Sequence, residues 1–63
     1  MAGVTVRVTS VNGGYDYDMK HDNATEFAAV QVERVGSVLE VYDTNGKQIA
    51  AYAPGCWVSA AIT

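Results

Sequence analysis

The chain has 63 residues with four Lys/Arg against seven Asp/Glu, a net charge of −3. That length allows one domain and one core, and a domain this small hides only about 60% of the surface its unfolded chain exposes. A hydrophobic content of 49% with mean hydropathy +0.03 excludes a disordered chain. The single Cys excludes an internal disulfide.

Charge narrows the partners. Arg7, Lys20, Arg34 and Lys47 are spread singly along the chain. A phosphate backbone is bound by clustered cations, so nucleic acid is not an expected partner. The first residues, MAGVTVRV, hold no basic segment followed by an apolar run, and no stretch approaches the roughly 20 apolar residues of a membrane span. The expectation is a cytoplasmic protein with no membrane partner.

The elements read as a series of short strands. Val4, Val6 and Val8 alternate with Thr5, Arg7 and Thr9, the period-2 pattern of a half-buried strand. Asn12-Gly13 supplies the positive φ values of a tight hairpin turn. Beyond it Tyr15, Tyr17 and Met19 alternate with Asp16, Asp18 and Lys20. Residues 4–20 are therefore expected to form an antiparallel hairpin whose second strand turns an acidic face to water.

Residues 21–24 are polar and aperiodic and read as a connector. Asp22 or Asn23 is placed to cap one short helical turn over 24–29, after which Val30, Val32 and Val35 favour strand. The expectation is a strand over 27–35 with that single turn before it. Gly36-Ser37 permits a reversal. A strand over 38–42 follows, closed by the turn sequence Asp43-Thr44-Asn45-Gly46. The next strand, 47–53, has no strongly polar face and reads as central or covered on both sides. Pro54-Gly55 marks a bend or a passage to another sheet edge, and 56–62 ends the pattern as an almost uncharged strand.

Five to six short antiparallel strands in one domain of residues 1–63 point to an all-β fold: a small curled sheet or open barrel, of SH3-like or OB-like size, because curling covers edges and encloses one core. The last strand can close against the first, or lie at an edge and pair with a second copy.

Two segments, VLEVYDTNGK over 38–47 and IAAYAPGCW over 49–57, resemble short β-rich, functionally unassigned proteins of actinobacterial bacteriophages. The resemblance covers less than half of the chain. It implies a small accessory protein acting on a host or defence component by binding, and it assigns no functional residue.

The chemistry-bearing residues each have two readings. Asp16, Asp18, His21 and Asp22 lie within seven residues and carry hard oxygen ligands with one imidazole, yet their spacing is not that of a calcium loop. A solvated acidic face that guards an edge strand is the better account, so no metal and no cofactor is expected. Cys56 and His21 are the only thiol and imidazole. A nucleophilic thiol also needs an orienting group and a cleft; a buried, inert Cys56 is the better expectation, and the chain is not expected to be an enzyme.

Trp57 reads as the main core anchor, with an exposed hot spot alongside Tyr52 as its rival. The tyrosines read as core residues with hydroxyls at the surface. Three functions remain: a non-enzymatic protein-binding accessory module that forms a homo-oligomer through its last strand; an oligomer that sequesters a small molecule or nucleotide, with Trp57, Tyr52, Tyr15 and Tyr17 as walls and Arg7 or Arg34 holding an anion; and a minor structural component of a virus particle.

Overall fold

Val4, Val6 and Val8 are buried while Arg7 and Thr9 are exposed, so the alternation read in the sequence is the alternation of the fold. The computed structural model describes residues 3–10 and 14–63; the Asn12-Gly13 turn lies outside them. Six strands appear, with no helix among the described residues: β1 (Val4–Thr9), β2 (Asp16–His21), β3 (Ala24–Gln31), β4 (Ser37–Asp43), β5 (Gln48–Tyr52) and β6 (Trp57–Ile62). The fold is all-β.

Where one curled sheet or open barrel was expected, the strands form two three-stranded antiparallel sheets, ordered β2-β1-β6 and β3-β4-β5. Each sheet places its apolar strand in the centre. β1 pairs with β2 from Val4↔His21 to Thr9↔Asp16 and with β6 from Val4↔Ile62 to Val8↔Trp57. In the second sheet β4 pairs with β3 through Val41↔Phe27 and Leu39↔Ala29, and with β5 through Leu39↔Tyr52 and Val41↔Ala50. The inner faces meet in a core of Val4, Val6, Val8, Ala24, Leu39 and Val41, with Phe27, Ala50, Tyr52, Trp57 and Ala60 packed around it. The body is thin, 31 × 26 × 14 Å, close to the width of two sheets packed about 10 Å apart.

Turn chemistry explains the connections. Gly46 adopts φ 78° and its N–H bonds Asp43 C=O at 3.0 Å. Asp43 Oδ1 accepts from both Asn45 and Lys47 N–H at 2.9 Å, so the β4–β5 reversal is held by its first side chain. Pro54-Gly55, with Gly55 at φ 83°, carries the chain from the second sheet back to the first, the passage its sequence announces.

Several expectations change. The capped helical turn over 24–29 is strand: β3 begins at Ala24, and a bulge between Ala24 and Glu26 brings Phe27 into register with Val41. Long-range pairing with β4 here overrides a local capping signal. The strand expected over 27–35 ends at Gln31, because 32–36 is the turn itself: Val32 N–H bonds Gly36 C=O at 2.8 Å and Val35 N–H bonds Val32 C=O at 3.0 Å. Glu33 at φ 45° and Gly36 at φ 102° make that reversal. β5 is not covered on both sides; it lies at a sheet edge with Ile49 exposed.

Candidate functional site

Among the described residues, two side-chain hydrogen bonds clasp the sheets together, one on each flank of β1. On the β2 flank, His21 Nε2 and the Tyr52 hydroxyl share a bond of 2.5 Å, with their rings edge to face at 5.9 Å. Burial and the nearby Tyr17 hydroxyl raise the Tyr52 pKa above its ordinary value, so its phenol stays neutral. On the β6 flank, the Trp57 indole N–H donates to Ser37 C=O at 3.0 Å. Each clasp joins a strand of the first sheet to one of the second, and each aromatic body packs on the core while its polar end finds a partner.

The candidate binding residues therefore divide. Tyr52 and Trp57 are half-buried on opposite flanks of β1 and serve the core. Tyr15 is 79% exposed and Tyr17 is also exposed, so neither is the core residue expected. The strand carrying Tyr17 and Met19 directs them to the core side, but it lies at the sheet edge, where they stay partly exposed. Arg7 is on the other face of β1: its Nε donates to Asp18 Oδ1 at 3.0 Å, and that bond with the carboxylate charge raises its pKa. Arg34 lies exposed in the β3–β4 turn. Tyr17 and Arg7 thus lie on opposite faces of the first sheet, with Arg7 committed to Asp18, so Arg7 and the tyrosine do not share a wall.

Cys56 is exposed, not buried. Its carbonyl accepts from Thr9 N–H at 3.1 Å, at the end of β1 opposite His21, which pairs with Val4. Five residues of strand separate those ends by about 16 Å, too far for a thiol–imidazole pair. Asp16, Asp18, His21 and Asp22 do not form a ligand set either: Asp18 is held by Arg7, His21 by Tyr52, and no group of three such side chains placed to hold a metal ion occurs among the described residues. On β4, the Tyr42 hydroxyl donates to the Glu40 carboxylate, which raises the Tyr42 pKa.

What sequence reading missed is how much apolar surface stays uncovered. Val35 is 68% exposed, Ile62 57% and Val58 51%. The apolar, uncharged run around β6 was the only signal for the last two. No enclosed cavity is found among the described residues, and no helix is long and apolar enough to cross a membrane.

Comparison with known proteins adds no relative: no protein-family model, curated protein or solved structure matches the chain.

Proposed function

We propose that this chain is a small non-enzymatic module that works by binding protein, and that its first partner is another copy of itself through β6. One observation carries the reading. The accessible surface is 4398 Å², whereas a compact monomer of this mass is expected to expose about 3,900 Å². Large apolar side chains at the surface, among them Tyr15, Val35, Val58 and Ile62, occur beside a core of six buried hydrophobic residues among those described. Covering such groups contributes about 25 cal/mol per Å², which rewards contact with another chain.

The resemblance to short bacteriophage proteins supports a host or defence component as a second partner, with the host cytoplasm as the place of action. A second reading rests on the exposed Tyr15 and Tyr17: an oligomer sequestering a small molecule or nucleotide between subunits. It needs an anion site from elsewhere, since Arg7 is paired on the other face.

Native mass spectrometry of gently purified protein separates these. The module reading expects bare multiples of the chain. A retained mass of a few hundred daltons, lost on denaturation, overturns it in favour of sequestration; recovery of the chain in purified particles favours the virion component.

A further inference from the structure

Four strands lie at sheet edges: β2 and β6 in one sheet, β3 and β5 in the other. An edge strand offers unpaired N–H and C=O groups, and sheets guard such edges with charge, proline or shortness. β2 carries Asp16, Asp18 and Lys20, β3 carries Glu26, and β5 is a five-residue strand between Lys47 and Pro54. β6 has none of these. No Asp, Glu, Lys, Arg or His occurs from Gln48 to Thr63, and the only ladder partner of β6 among the described residues is β1.

We propose that β6 pairs antiparallel with β6 of a second copy about a two-fold axis at Ala61, joining two three-stranded sheets into one of six strands. This rests on the self-association proposed above and specifies its geometry. Gly3 and Thr63 exchange both main-chain hydrogen bonds, at 3.0 and 2.8 Å. In an antiparallel ladder the direction of these groups alternates along the strand. Ser59, Ala61 and Thr63 thus direct their N–H and C=O toward β1, and Ala60 and Ile62 direct theirs to the free edge.

A two-fold pairing that bonds the outward groups sets Ala60 against Ile62 of the partner subunit, and Ile62 against Ala60 of the partner subunit. Its centre is Ala61. A pairing centred on Ala60 would instead use Val58 as a ladder partner, and Val58 lies at the register shift between the Val8↔Trp57 and Arg7↔Ser59 pairs. Ala60 and Ile62 are the outward-bonding residues of β6 beyond that shift, and Ala61 is the centre that pairs them with each other.

The side chains fit the same register. Ile62 and Ala60 lie across from Val4 and Val6, so each apolar row of the core side continues into the partner, small residue beside large. Ala61 meets Ala61 of the partner subunit on the outer face as a non-hydrogen-bonded pair, the closest kind of cross-strand approach. Self-pairing here brings no charges together.

Cysteine scanning in a Cys56→Ser background tests the register. Non-hydrogen-bonded antiparallel pairs hold Cα atoms about 4.5 Å apart, within disulfide range. Ala61→Cys is expected to form a covalent dimer on mild oxidation. Ser59→Cys is not, because the two copies of that residue would lie about 13 Å apart. If Ala61→Cys cross-links no faster than Ser59→Cys while native mass spectrometry still finds a multimer, the β6 register is wrong and the module reading stands. If the variants are single chains at every concentration, self-association itself is refuted.

Discussion

β2 and β6 flank the same central strand, and each is clasped to the opposite sheet by one aromatic hydrogen bond, yet their free edges differ in kind. β2 is exposed on both faces and carries charges at alternate positions, with Asp18 held by Arg7 of β1. β6 carries no charge and exposes Val58 and Ile62. Position at a sheet edge therefore does not determine what an edge does. Charges like those on β2 are the kind that guard a sheet edge against a further strand, and β6 lacks them.

The comparison depends on a shared core, so the variant that breaks it most is one that removes that core. Leu39 is fully buried at the centre of the second sheet, and Leu39→Ala is expected to cost about 2–5 kcal/mol. A 63-residue domain has roughly 3–9 kcal/mol in total. Urea titration should find this variant largely unfolded or close to it.

Ile62→Lys tests the difference between the edges directly. Ile62 is exposed, so the fold should persist by far-UV circular dichroism, while analytical ultracentrifugation should record at least a tenfold weaker self-association, about 1.4 kcal/mol. Unchanged association would remove β6 from the interface.

The two clasps come next. Trp57→Phe keeps an aromatic body and removes the indole donor, which leaves Ser37 C=O without it; the expected loss is about 1 kcal/mol of unfolding free energy, read from a lower urea midpoint. Tyr52→Phe removes the corresponding bond on the β2 flank, at about 0.5–1.5 kcal/mol, and adds a pH signature. The folded pKa of Tyr52 is raised above its ordinary value of 10.0. Above pH 10 the unfolded chain therefore binds fewer protons than the folded one, and stability falls as pH rises through the folded pKa. Tyr42 is shifted in the same direction, so Tyr52→Phe should reduce the alkaline loss without abolishing it.

The smallest effect belongs to Arg7→Ala. The Arg7–Asp18 pair is exposed on both sides, and such pairs contribute little. The urea midpoint should stay within measurement error, and a large loss would mean that the acidic edge of β2 depends on this ion pair for its place in the sheet.

Much of the fold was legible because its central strands depend on local pattern. Val4, Val6 and Val8, and Leu39 with Val41, alternate with polar or partly exposed neighbours, and both became the buried rows of their sheets. Asp43 through Gly46 carried its turn in its own side chain and glycine. The connector before β3 and the end of that strand were not legible, since the caps, the bulge and the Val32–Gly36 turn compete within a few residues and only pairing with β4 decides among them. The candidate site was less legible still. Cys56 and Tyr17 have residue types that favour burial, and both are exposed because too few neighbouring strands exist to cover them.

The sequence by itself determined that this chain is all-β, where its best hairpin turn lies, and that its last strand is free of charge. These follow from side-chain periodicity, backbone restrictions and composition, all local properties. Tertiary structure alone decided that β6 returns to β1, that His21 meets Tyr52 and Trp57 meets Ser37, and that Ala60 and Ile62 present their backbone to the open edge. Partners distant in sequence set those outcomes, because a strand's exposure depends on how many neighbours it finds and not on its own residues.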